Sequence, residues 1–136
     1  MAEAHLVRSA MLQRRVRLAA PAVLWTEVAH AIIRAVRRDR LDRDEAREVA
    51  DQMLAVQPLI EAVEVDLRDT IRTALLAGVG AYDAQYLAVG ARLASTVITA
   101  DRGMWERGRA NGYDVVWLGD VSTSNGILVD TPQGYL

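Results

Sequence analysis

Apolar and polar positions alternate along this chain with two periods. Leu6, Val7, Ala10 and Met11 recur at helical spacing and predict a helix over residues 3–15. The short run "VRLAAP" reads as a strand stopped by Pro21, and residues 22–40 return to the helical period through Leu24, Val28, Ala31, Ile32, Ala35 and Val36. Asp42 with Glu45 three residues later is a capping-box start for a helix over 43–56, and Pro58 closes that region. "EAVEV" at 61–65 is a short strand, and Asp66 can cap a helix running to Ala77, broken by "GVG" at 78–80. Residues 81–94 form another helix. "TVITAD" is a β-branched strand ending in an acid, residues 102–110 are helical, and "YDVVWLG" is an apolar strand. "STSNG" at 122–126 reads as a linker, and "ILVDT" at 127–131 as a buried strand that delivers Asp130 and Thr131 to a sheet edge.

Strands separated by helices predict an α/β fold with a mostly parallel sheet covered on both faces. The 136 residues suit one domain with a real core, and no internal repeat interrupts it. One placement is odd. A strand like "ILVDT" usually opens an α/β domain, and here it stands in the last dozen residues.

Composition narrows the chemistry. The absence of cysteine removes disulfides, thiolate metal sites and a cysteine nucleophile. All 16 basic residues are arginine, which excludes Schiff-base lysine chemistry and a Walker-type P-loop. The charged N-terminal stretch lacks a signal-peptide core and no apolar run reaches a membrane span, so a cytoplasmic protein is expected. The net charge of -2 conceals an asymmetry: residues 1–43 hold nine arginines against four acids, and residues 44–136 seven against fourteen. A basic half suits phosphate and an acidic half suits cations, although solvated helix faces produce the same pattern.

Four acids stand out. Asp101 and Asp130 end strands, and ligands of open α/β sheets bind beyond the carboxyl ends of strands. An Asp between strand and helix is also an ordinary N-cap. Glu27 shares the stripe of Leu24 and Ala31, and Asp83 precedes Leu87 by one turn between Tyr82 and Tyr86. A carboxylate on an apolar stripe needs a cation or hydrogen bonds, whether from arginine or from a metal. Carboxylates gathered without cysteine or histidine suit a hard divalent cation, Mg²⁺ or Mn²⁺, which can activate water against a phosphate ester. His5 and His30 are isolated, and no serine has a nucleophile-elbow context.

With these residues in view, the chain resembles the PIN-domain family, and within it the VapC-type ribonuclease toxins of bacterial toxin–antitoxin pairs. The likeness runs from about Val16 to Leu118. "APAVLWTEVAHAIIRAVRRDRLDRDEA" places the family's helix-borne glutamate at Glu27, "AYDAQYLAVGARL" places an acid at Asp83, and "TAD" in "VITADRGMWERG" places the next at Asp101. The resemblance implies a three-layer α/β/α sandwich and Mg²⁺- or Mn²⁺-dependent cleavage of RNA. It also implies a homodimer and inhibition by a small antitoxin protein. Thr99 falls on a position that supports the acidic site. Arg34, Arg37 and Arg38 form the arginine-rich helix end whose charge suits phosphate.

The departure from the family lies in its first strand, which ends in a metal-ligating Asp followed by Ser or Thr. "ILVDT" supplies that pattern at the other end of the chain, with Asp130 as the acid and Thr131 as the hydroxyl. A circular permutation is the simplest account, and it predicts that 127–130 is a central parallel strand. The nine steps from Leu118 to Ile127 span at most about 30 Å, enough to return, although parallel crossovers usually take a dozen or more residues. The leading function is therefore a metal-dependent endoribonuclease with Glu27, Asp83, Asp101 and Asp130 as its acids. The alternative is a non-catalytic PIN-like interaction module whose acids are structural. An aspartyl acceptor built on "ILVDT" lacks the lysine and the second acid that such sites employ.

Overall fold

Short strands and amphipathic helices alternate in the computed structural model, which describes the backbone of residues 2–124, 127–130 and 134–135 and the side chains of residues 2–122. The chain divides into two compact units, Leu18–Glu64 and Met1–Arg17 with Val65–Leu136. Among the described residues, no helix is long and apolar enough to cross a membrane.

In the unit Leu18–Glu64, β1 (Leu18–Pro21) pairs in parallel with β2 (Ile60–Val63), Leu18 opposite Ile60 and Pro21 opposite Val63. Two helices connect them, as parallel strands require. The first, α2 (Val23–Arg37), carries Glu27; the second is α3 (Arg43–Val56). The predicted capping box is present. Asp42 Oδ1 accepts from the N–H groups of Asp44 and Glu45, both at 2.8 Å, and the Asp42 N–H donates to Glu45 Oε2 at 2.7 Å. A 3-10 turn at Gln57–Leu59 containing Pro58 ends the helical hairpin and leads into β2.

The other unit begins with α1 (Ala2–Leu12) and resumes with α4 (Leu67–Ala77), capped by Asp66 Oδ1 on the Asp69 N–H at 2.8 Å. Next come α5 (Ala81–Leu93), β3 (Val97–Thr99), α6 (Arg102–Ala110) and β4 (Val115–Trp117). β3 and β4 pair in parallel, with Val97 opposite Val115 and Thr99 opposite Trp117. Ala77, Leu87, Met104 and Val115 form a buried cluster that joins the helices to β4. The approach of α5 to β3 is close: a Cβ on Gly90 would stand 2.4 Å from Val97 Cγ2 and 3.1 Å from the Ser95 carbonyl oxygen. A second cluster gathers Ala10 of α1 with Val116 and Val121.

These elements make a mixed α/β fold with short parallel strands between helices, consistent with the expected PIN-like α/β/α class. Helix N-termini fall within a residue of those predicted. The strands are shorter, "VRLAAP" reducing to Leu18–Pro21, "TVITAD" to Val97–Thr99 and "YDVVWLG" to Val115–Trp117, and the helices predicted over 3–15 and 22–40 stop earlier, at Leu12 and Arg37.

The C-terminal stretch differs from expectation. Val121–Ser124, inside and before the predicted linker, is a strand, β5, and it pairs antiparallel with β6 (Ile127–Asp130). β6 also pairs antiparallel with β7 (Gly134–Tyr135). The strand predicted at 127–130 is present, but it lies in a three-stranded antiparallel sheet and not in a central parallel position. The reason is connection length. Two residues separate Ser124 from Ile127, which suits a hairpin and falls far short of a parallel crossover.

Candidate active site

Asp101 sits just past the carboxyl end of β3. The strand delivers Thr99, whose half-buried hydroxyl oxygen accepts the Asp101 N–H at 3.0 Å. The chain then turns into α6, and Asp101 Oδ1 accepts the Met104 N–H at 2.8 Å. The residue is therefore a helix N-cap, and Thr99 fixes the backbone that presents it. Among the described residues the cap engages Oδ1, and the side chain is exposed. Capping and ligation are compatible, because a carboxylate offers two oxygens and about four lone-pair directions.

Asp83 lies in the first turn of α5 and is half-buried. One turn later Leu87 enters the same buried cluster as Met104, the residue whose N–H holds Asp101. The packing of α5 and α6 thus ties both acids to one cluster. Glu27 is half-buried on α2 of the other unit.

The register places the fourth acid by its backbone. Thr99 and Trp117 end β3 and β4 side by side, the 3-10 turn Leu118–Asp120 follows Trp117, and Val121 then pairs with Asp130. The hairpin therefore brings the Asp130 backbone to the stretch that leaves the carboxyl end of β4. The Asp130 side chain and all of Thr131 lie outside the described residues. Among the described residues no group of three or more His, Cys, Asp or Glu side chains gathers as a cation site. The donors of Asp83 and Asp101 are carboxylate oxygens, which in kind suit Mg²⁺ or Mn²⁺.

Three residues near Asp101, namely Arg102, Trp105 and Trp117, were missed at the level of sequence. Arg102 follows it directly, and its guanidinium carbon lies 4.9 Å from the ring centroid of Trp117 and 5.8 Å from that of Trp105. An arginine after "TAD" and a tryptophan closing an apolar strand were the available signals, but their meeting depends on the register of β3 with β4.

Comparison with known proteins agrees with this architecture. The PIN domain family matches residues 3–109, a span that contains Glu27, Asp83, Thr99 and Asp101 and stops before Asp130. The crystal structure of PAE2754 from Pyrobaculum aerophilum is similar, with a TM-score of 0.64 and 23% sequence identity over 77% of this chain and 70% of that one. At that identity the likeness shows the fold alone. No curated protein matches significantly. With a family match over most of its length and three of the expected acids inside it, this chain belongs to the PIN domain family.

Proposed function

We propose that the chain is a metal-dependent endoribonuclease and the toxin component of a bacterial toxin–antitoxin pair. PIN domains are typically metal-dependent nucleases that act on RNA. The observation that carries the reading is the family match running through Glu27, Asp83 and Asp101. In this reading those acids, with Asp130, hold Mg²⁺ or Mn²⁺ through hard oxygen donors, and Thr99 keeps Asp101 in place. The bound ion would supply activation of water and charge neutralisation at the phosphate. The chain's own residues supply the carboxylate cage and a cationic approach for the substrate. A small antitoxin protein and a second copy of the chain are the partners this role implies.

Cleavage of single-stranded RNA should require Mg²⁺ or Mn²⁺ and stop with EDTA. Asp83→Asn should lower the rate by orders of magnitude and leave the circular-dichroism spectrum unchanged, because it removes charge and little volume. A panel of RNA sequences is needed, since such enzymes can be narrow. Cleavage that persists in EDTA, or that Asp83→Asn leaves intact, would sink the nuclease reading. The capping role of Asp101 favours one competitor, an interaction module whose acids are structural; a metal-independent antitoxin complex with no cleavage on any RNA in the panel would select it.

A further inference from the structure

Beside Asp101 the structure holds a cation in place with aromatic rings. Arg102 opens α6, Trp105 lies one turn later, and Trp117 ends β4 opposite Thr99. Trp117 thus stands at the same sheet edge beyond which Asp101 projects. The Arg102 guanidinium lies over both indoles, and Arg109 lies over Trp105 at 5.7 Å. Trp117 is itself held: a Cβ on Gly119 would stand 2.3 Å from Trp117 Nε1 and 2.9 Å from Cδ1, so the ring rests directly on glycine backbone.

Stability alone accounts poorly for this arrangement. Ordering an exposed arginine costs rotamer entropy of the same order as an exposed cation–π contact returns. Trp105 Nε1 is buried without a hydrogen-bond partner among the described residues, a cost that a purely apolar side chain of similar shape would avoid. An acidic edge also repels a polyanion, so a nucleic-acid substrate needs fixed positive charge close to the carboxylates.

We propose that Arg102, braced by Trp105 and Trp117, is a positioning residue that takes a phosphate of single-stranded RNA beside Asp101, its stack on Trp117 forming a platform for the adjoining base. The proposal rests on the nuclease reading above. A planar guanidinium grips phosphate with two parallel N–H donors, and unpaired bases stack on arginine and indole planes. Lysine would keep the charge and lose both the fork and the stack.

The test uses the full chain and the panel of single-stranded RNA sequences named above, each labelled. Anisotropy in EDTA reads binding without turnover, and cleavage with Mn²⁺ reads KM and kcat. Arg102→Gln should weaken binding about tenfold, raise KM with little change in kcat, and lower the slope of log K against log salt by roughly 0.7, the value for one lost phosphate contact on a single strand. Arg102→Lys should keep most of the salt slope and still bind less tightly. Arg68→Gln, on exposed α4 surface, should change the salt slope and KM much less. A wild type that binds and cleaves RNA, with Arg102→Gln no different from Arg68→Gln, overturns the Arg102 assignment and leaves the nuclease reading standing. A wild type that neither binds nor cleaves any RNA of the panel overturns both.

Discussion

Asp101 performs a structural task that can be separated from a chemical one. Its Oδ1 caps α6 through the Met104 N–H, and its exposed carboxylate stands where the resemblance places a metal ligand. Asparagine caps helices about as well as aspartate, whereas alanine costs roughly 1 kcal/mol at an N-cap. Asp101→Asn should therefore keep the urea midpoint close to wild type and lose nearly all cleavage. Asp101→Ala should lose cleavage and about 1 kcal/mol of stability as well. Full activity in Asp101→Asn would make the residue a cap and nothing more. The acid was legible from the sequence because a strand ending in Asp, followed by helical spacing, fixes its place at the sheet edge. The Arg102–Trp117 contact was not, because Trp117 lies fifteen residues downstream and meets Arg102 through the pairing of two short strands.

Elements were read well where a local signal sets them. The box at Asp42 and Glu45, the cap at Asp66 and the β-branched "VIT" each specify their structure within a few residues. Contacts between elements were less legible, and Gly90 shows why. In a helix, glycine to alanine should stabilise by up to about 1 kcal/mol from propensity alone. Here the added methyl meets Val97 Cγ2 at 2.4 Å and the Ser95 carbonyl at 3.1 Å, an overpacking that typically costs about 1–3 kcal/mol. The clash should win, so Gly90→Ala should lower stability by roughly 1 kcal/mol net, and adding Val97→Ala should relieve part of the clash in a double-mutant cycle. A Gly90→Ala protein more stable than wild type would mean that α5 can move off β3 at little cost. The same limit explains the misread linker. Asn125-Gly126 is the dipeptide that most favours two-residue hairpins, but the polar "STSNG" around it resembles a spacer when strand partners are not known.

At the scale of the whole molecule, what matters is how the C-terminal strands serve the fold and the site. β6 pairs with β5, and β5 begins at Val121, which is buried against Ala10 and Val116. Removing residues 125–136 would leave β5 without β6 and expose its hydrogen-bonding edge to water. That deletion should lower the melting temperature by several degrees, since for a chain of this size 1 kcal/mol corresponds to roughly 3–5 °C. Asp130→Asn tests a different claim, that the acid placed opposite Val121 by the hairpin completes the site as the permuted first acid of the family. It should not lower the metal-free melting temperature, because strand pairing does not depend on the charge and removing one of several gathered carboxylates relieves repulsion. The metal response should change. A cation at ten times its Kd stabilises the native state by about 1.4 kcal/mol, roughly 5 °C here, and Asp130→Asn should abolish that shift together with cleavage. The two variants separate fold from chemistry. A full metal shift in Asp130→Asn would remove the acid from the site and with it the case for permutation, whereas a truncated chain that melts like wild type would show that β6 and β7 contribute nothing to holding β5.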